Sequence, residues 1–118
     1  MSPRGDDERL HDILRCIERI GFAEVALAEV DAAQEPEEFQ LIFDSILYNL
    51  VIIGEAVNSL SDGVHSANPE IPWRDIVGMR NMLAHRYFQV SAKLIKATID
   101  QPLKALAKVC QNELEFLG

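Results

Sequence analysis

Apolar residues recur at helical spacing along most of this chain, in long runs that few turn residues interrupt. The apolar positions of the first run are spaced by three or four residues: Leu10, Ile13, Leu14, Ile17 and Ile20. This spacing predicts a helix that continues to about Val30. Asp6 and Asp7 are placed to cap its start, after a frayed tail at residues 1–5.

The second run is apolar on more than one face. A helix is predicted from Pro36, which suits a first helical position, to about Leu60. Its main stripe is Phe39, Ile42, Phe43, Ile46, Leu50, Ile53, Val57 and Leu60. Further apolar residues lie outside that stripe: Leu41, Tyr48, Val51 and Ile52. A helix that is apolar nearly all round is central to its fold or lies in a subunit interface. In a chain this short we expect an interface.

The second half of the chain contains three further helical segments. Ser61–Gly63 ends the second helix, and a connector leads to Pro72, which opens a third. The third helix is predicted to end between His85 and Phe88. Ser91 can cap a fourth segment, and Pro102 is predicted to kink or break it because proline cannot donate the helical hydrogen bond. A last helix continues to the end of the chain.

Composition supports helices over sheet. Of 118 residues, 48% are hydrophobic, 7% are aromatic, and glycine and proline are few. We therefore predict an all-α, antiparallel four- to five-helix bundle that dimerises, with one domain over residues 1–118. No apolar segment follows a basic amino terminus, and Leu50–Ile53 is far too short to span a membrane, so we expect a cytoplasmic protein without a membrane partner. Cys16 and Cys110 occupy apolar helical positions and are predicted to be buried free thiols.

The charge is unevenly distributed along the chain. The net charge is −8, but residues 1–62 carry −10 and residues 63–118 carry +2. An acidic body with a small basic region is compatible with a local phosphate site. It is not compatible with broad, non-specific binding along a nucleic-acid backbone.

The basic half contains the densest group of reactive side chains, at Arg80, Asn81, His85 and Tyr87. A fixed cation beside a proton-transfer group suits phosphodiester cleavage without a metal. On a regular helix, however, Arg80 and His85 differ by about 140° in direction and about 7.5 Å along the axis. A loosened helix end or a symmetric dimer would bring them together. The simpler alternative is a solvated or ion-paired arginine and a histidine that favours the helix end.

Glu55 is a single carboxylate in an otherwise apolar part of the second helix, with Asn58 on the same face. Such a carboxylate is expected to have a partner. It either orients Arg80 or His85, or forms an ion pair that fixes the packing of two helices, and both roles are compatible.

Other kinds of chemistry have little support in the sequence. No glycine-rich phosphate loop, no Ser-His-Asp arrangement with a recognisable context and no Cys/His metal spacing is present. His11 and His65 are isolated and are predicted to be surface residues. We therefore expect no cofactor, and any hydrolysis is expected to proceed without a metal.

The stretch Ile71–Phe88 resembles the HepT-like branch of the HEPN superfamily. That branch carries an arginine, four residues, a histidine, one residue and a tyrosine, and Arg80, His85 and Tyr87 match it position by position. Asn81 matches the polar residue that commonly follows the arginine. Residues 52–61 also resemble the second-helix motif of this family, so the resemblance spans almost the whole chain.

The resemblance implies a dimeric helical bundle whose groove holds two copies of the motif. It implies a metal-independent toxin ribonuclease, an RNA substrate and a cognate nucleotidyltransferase antitoxin that silences the toxin by attaching AMP to the motif tyrosine, here Tyr87. Arg86 departs from the acidic or neutral residue usual between the histidine and the tyrosine, which adds charge beside the site. The alternatives are a non-catalytic nucleotide-binding or substrate-presenting subunit of a separate nucleotidyltransferase, and a structural dimer that Arg80 and His85 merely bridge.

Overall fold

A computed structural model describes residues 5–118, without the side chains of Phe88 and Thr98. The predicted tail, except for Gly5, lies outside the described residues. The helices are α1 (Asp6–Ala28), α2 (Pro36–Ser59), α3 (Asp62–Ala67), α4 (Trp73–His85) and α5 (Ala92–Leu117), with a short 3-10 turn at Tyr87–Gln89. Within residues 5–118 there is no strand, so the all-α prediction is confirmed.

The packing of the helices is antiparallel around α2. Helix α1 packs against both α2 and α5, and α4 packs against α2. The start of α1 meets the end of α2, where Asp6 accepts hydrogen bonds from Ser61. Helix α4 is also antiparallel to α2. Arg80 contacts Glu55 near the end of α2, and Tyr87, which follows α4, contacts Asp44 nearer the start of α2. This arrangement places the region predicted to carry chemistry on the α2–α4 face.

The start of α1 differs from the prediction. Gly5 is the N-cap residue and no side chain caps the helix, while Asp6 and Asp7 lie in the first turn. There their negative charges interact favourably with the positive end of the helix dipole. Asp6 accepts from the backbone N–H of Ser61 at 3.0 Å and from its hydroxyl at 2.6 Å. Its carboxylate therefore joins α1 to the corner after α2.

The predicted stripe of α2 forms the centre of the core. Leu50, Ile53 and Val57 have no exposed surface, whereas Leu41 and Tyr48 are 72% and 65% exposed. Val51 and Ile52 are partly buried against the core. Among the described helices α2 alone is long and apolar enough to suit a membrane span, and half of its apolar window is buried inside the bundle, as in a core helix.

Two features of the later helices were not predicted. Ser61 caps the short helix α3 by accepting from the backbone N–H of Val64, in a stretch that was predicted to be a connector. Helix α5 is continuous from Ala92 to Leu117 with Pro102 inside it, so the predicted break is wrong. Ser91 caps α5 through its hydroxyl, as predicted.

Cys16 and Cys110 are both buried free thiols, as predicted. Burial raises the pKa of Cys16, and burial together with the nearby charge of Glu113 raises the pKa of Cys110 to about 12. Both therefore stay protonated near neutral pH and behave as small apolar core residues.

Candidate active site

The close approach of α2 and α4 depends on a glycine. A Cβ atom built on Gly54 would lie 2.7 Å from the Cβ of Arg80 and 3.4 Å from the backbone oxygen of Ile76. A larger residue would have to push the two helices apart. Gly54 therefore allows Arg80 to lie directly beside the carboxylate of the next residue, Glu55.

The guanidinium of Arg80 is held by two neighbours. Its Nη1 donates to Glu55 Oε1 at 2.6 Å, and its Nε and Nη2 donate to Asn81 Oδ1 at 3.2 and 2.9 Å. The Arg80 side chain is 24% exposed and the Glu55 side chain 56%. An arginine has five N–H donors, so N–H groups on Nη1 and Nη2 stay available within the described part of the chain. Of the two partners considered for Glu55, the structure gives Arg80.

This ion pair joins two helices and also fixes a cation, so the two roles considered for Glu55 coincide. The arginine is prepared to bind an anion through its remaining donors because its rotamer is already set. The amide oxygen of Asn81 is occupied by Arg80, which leaves the amide nitrogen of Asn81 as a donor directed elsewhere.

His85 stays apart from this cluster within one chain. Helix α4 is regular through His85, and the backbone departs from the helix only at Arg86. The helix was expected to loosen at His85, but it departs from helical geometry only after this residue. The angular separation between Arg80 and His85 is therefore not reduced. Among the described residues the exposed His85 ring has no hydrogen-bond partner, and the exposed Arg86 has no ion pair.

Tyr87 forms a second polar cluster with the first half of α2. Its hydroxyl donates to the Asp44 carboxylate and accepts from Gln40 Nε2 at 3.3 Å. Gln40 also donates to Asp44 at 2.7 Å. The hydrogen bond to Asp44 raises the pKa of the Tyr87 phenol above its ordinary value, because ionisation would place two negative oxygens together. Tyr87 is 36% exposed, so its hydroxyl lies at the surface.

Asp44 and Gln40 were not predicted to be site residues. The available signal was a pair of polar side chains four residues apart on a largely apolar helix, which places them on one face. Their partner, Tyr87, lies 43 residues beyond Asp44 in the chain. Only the antiparallel register of α2 and α4 brings these residues together.

Asn58 lies one turn after Glu55 and lines a surface crease that Asn81 borders from α4. Of the predicted residues, Arg80, Asn81 and Glu55 are thus in direct contact, and Asn58 adjoins them. Within the described ranges no three His, Cys, Asp or Glu side chains are grouped so that they could hold a metal ion.

A comparison with protein-family models matches residues 7–113 to the family described as ribonuclease HepT-like. A Thermococcus cleftensis protein described as a probable ribonuclease HepT is 30% identical over 104 residues, covering 87% of this chain and 90% of that protein. A Caldanaerobacter subterraneus subsp. tengcongensis protein whose name marks it as a candidate RNase is 37% identical over 67 residues, covering 57% of this chain and 60% of its own length.

A third relative, from Methanocaldococcus jannaschii, also carries the name of a candidate RNase and is 29% identical over 69 residues, with 58% of this chain and 63% of that protein covered. The matches to the Caldanaerobacter and Methanocaldococcus proteins thus span less than two thirds of those relatives. No solved structure matches the chain.

Proposed function

The chain belongs to the HepT-like ribonuclease family, and from this premise we propose that it is a metal-independent RNA endonuclease, the toxin of a toxin–antitoxin pair in the cytoplasm. The observation that carries the proposal is the arginine of the family motif, Arg80, held ready by Glu55 and Asn81. A fixed cation with unused donors suits the scissile phosphate of an RNA strand.

In the proposed reaction the ribose 2′-oxygen attacks the adjacent phosphorus. The bond from phosphorus to the 5′-oxygen of the next nucleotide breaks, and a 2′,3′-cyclic phosphate and a 5′-hydroxyl form. His85 acts as general base on the 2′-hydroxyl or as proton donor to the leaving oxygen. Arg80 stabilises the developing charge on the phosphate, and the free amide N–H of Asn81 donates to the same group or to His85.

A dimer supplies the geometry that one chain lacks. His85 and Arg80 of one chain point in different directions from the axis of α4. A two-fold partner that places a second α4 alongside would let residues of both chains line one groove. The exposed apolar Leu41 and Tyr48 lie on the same side of α2 as Asp44 and Glu55, given their spacing. We propose this face as the dimer interface.

Tyr87 is proposed as the acceptor through which a nucleotidyltransferase antitoxin silences the toxin. The phenol oxygen attacks the α-phosphorus of ATP, pyrophosphate leaves, and the phenol proton passes to Asp44, which already accepts it in a hydrogen bond. The attached AMP adds bulk and a negative charge near the exposed Arg86. Modification would therefore oppose RNA binding both by occupying the groove and by repelling phosphate.

One observation favours a second function. In the single chain Arg80 is neutralised by Glu55 and does not meet His85, as expected for a non-catalytic subunit that binds nucleotides or presents a substrate to a separate nucleotidyltransferase. Such a subunit would bind nucleotides without cutting RNA.

Cleavage in chelator separates the two functions. Single-stranded RNA and DNA of the same sequence are incubated with purified protein in excess EDTA, and the product ends are identified by mass spectrometry. The nuclease proposal expects cleavage of RNA alone with 2′,3′-cyclic phosphate ends, because DNA lacks the attacking hydroxyl. Intact RNA, with protein folded and nucleotide bound, would favour the non-catalytic subunit.

A further inference from the structure

A surface crease of about 460 Å³ adjoins the Arg80 cluster. The end of α2, α3 and the first half of α4 form its walls, with Asn58 on one side and Asn81 on the other. Asn81 also accepts two hydrogen bonds from the Arg80 guanidinium. Anything bound in the crease is therefore next to the group proposed to hold the scissile phosphate.

One wall of the crease is a fixed aromatic pair. The rings of Trp73 and His65 lie against each other, with centroids 4.8 Å apart and planes tilted by 31°. The indole N–H of Trp73 donates to the backbone oxygens of His65 at 3.1 Å and Asn68 at 3.0 Å, and the His65 Nε2 is bonded to the backbone oxygen of Val57 at 2.9 Å. Because Trp73 Nε1 and His65 Nε2 already have partners, the pair offers the crease mainly the apolar faces of its rings.

Two amides and a cation provide the polar part of the crease. Asn58 makes no side-chain hydrogen bond to the described residues, and the amide nitrogen of Asn81 is a donor. Arg74, exposed at the rim, has no ion pair within residues 5–118. The Asn58 amide, which offers a donor and an acceptor, and the Asn81 amide nitrogen, which offers a donor, suit the edge of a nucleobase, and the cation suits a neighbouring phosphate.

Gly78 keeps the crease open. It lies inside α4, where glycine is unfavourable for a helix, and a Cβ atom at this position would meet nothing within 4 Å. Neither packing within the chain nor a positive φ angle requires glycine here. An open space above the helix is what a flat ligand lying across it would need.

We propose that this crease is a base-binding subsite, which holds one unpaired base of an RNA strand beside the phosphate at Arg80. The inference rests on the proposed ribonuclease function and specifies its substrate as single-stranded RNA. The base stacks on the aromatic wall, the amides of Asn58 and Asn81 bind its edge, and Arg74 contacts a flanking phosphate. Stacking and edge contacts of this kind are the usual means of reading unpaired RNA.

The fluorescence of Trp73 tests the subsite without relying on cleavage, because Trp73 is the sole tryptophan of the chain. Purified protein is titrated with each of the four nucleoside 5′-monophosphates and, as a control without a base, with ribose 5-phosphate. We expect saturable quenching by at least one nucleotide and none by ribose 5-phosphate. No quenching by any nucleotide, or equal quenching by ribose 5-phosphate, would overturn the proposal.

Substitutions in the crease then test whether the nucleotide binds there. Asn58→Ala removes an edge contact and Gly78→Leu fills the space, so each should weaken nucleotide binding on the order of tenfold, the scale of a lost base contact. Gly21→Leu is the matched control, since Gly21 also lies in a helix with nothing within 4 Å of a built Cβ. Unchanged affinity in both Asn58→Ala and Gly78→Leu would refute the assignment.

The two proposals fail in different ways. If the subsite is wrong and the nuclease right, RNA is cut in EDTA but nucleotides do not quench Trp73. If the nuclease is wrong, nucleotides still quench Trp73, and Asn58→Ala still weakens that quenching, while RNA stays intact.

Discussion

At the scale of single residues, the chemistry of the site depends on which side chains the fold pairs. The sequence indicated that Glu55 needs a partner, and the structure supplies Arg80. The sequence did not indicate a partner for Tyr87, because a phenol is stable in water without a partner and Asp44 is distant in the chain. A carboxylate in an apolar helical stretch was thus more predictable from sequence than a surface hydrogen bond between helices.

The hydrogen bond between Tyr87 and Asp44 makes the phenol harder to ionise. Asp44→Asn should therefore lower the Tyr87 pKa toward about 10, its ordinary value. Tyrosinate absorbance in a Tyr48→Phe background, where Tyr87 is the remaining tyrosine, gives the measurement. Because the folded-state pKa is raised, the stabilising contribution is fully present below about pH 10 and is lost as the pH rises through the folded value. An unchanged titration would show that Asp44 does not hold the phenol.

Tyr87 is predicted to be a regulatory acceptor and not a catalytic group. Tyr87→Phe should retain ribonuclease activity, since a phenol is a poor base at neutral pH. The variant should resist silencing when the partner nucleotidyltransferase and ATP are supplied, because it lacks the accepting oxygen. Mass spectrometry of the treated wild-type chain is the check. A wild-type Tyr87 that stays unmodified, while the partner is demonstrably active, would contradict this role.

At the scale of helices, apolar periodicity predicted the elements better than single breaker residues did. Ile95, Ile99, Leu103, Leu106 and Cys110 continue one buried stripe across Pro102, so packing keeps α5 continuous despite the lost hydrogen bond. Helix α3 was missed because it has only six residues and buries one of them, Val64. So short an element is stabilised by its Ser61 cap and by tertiary contacts that local periodicity does not reveal.

The contact between α2 and α4 gives a prediction about Gly54. Gly54→Ala should destabilise the fold by about 1–3 kcal/mol, because the added methyl group overlaps the Cβ of Arg80. It should also lower RNA cleavage by displacing the guanidinium. Gly21→Ala, in open space on α1, should instead stabilise by about 0.5–1 kcal/mol. Urea denaturation followed by circular dichroism measures both, and equal stability of the two variants would argue against a tight α2–α4 contact.

At the scale of the whole molecule, a single chain leaves part of α2 uncovered. Leu41 and Tyr48 are among its most exposed large apolar residues. The pattern of α2 predicted this surplus, and the structure shows which part of it the chain does not bury. The proposed dimer, with two motifs in one groove, would depend on a second chain, so neither the sequence nor the fold of one chain determines it.

A dimer through this face is a prediction about assembly. Tyr48→Asp should shift the protein to monomer, because a charge would replace buried apolar surface in the interface. Phe22→Asp is the control, since Phe22 is similarly exposed, 69% against 65%, but lies on α1. Sedimentation at micromolar concentration distinguishes the species. A wild-type monomer would remove both the dimer and the composite groove.

The central claim is that Arg80 and His85 cleave RNA without a metal. Its most direct test is the initial rate of single-stranded RNA cleavage in excess EDTA by wild type, Arg80→Ala, His85→Ala and the control His11→Ala, whose exposed imidazole is hydrogen-bonded within α1. We predict that the two site variants are slower by on the order of a hundredfold or more, and that the control cleaves like wild type. Cleavage at the wild-type rate by folded His85→Ala would contradict the catalytic assignment.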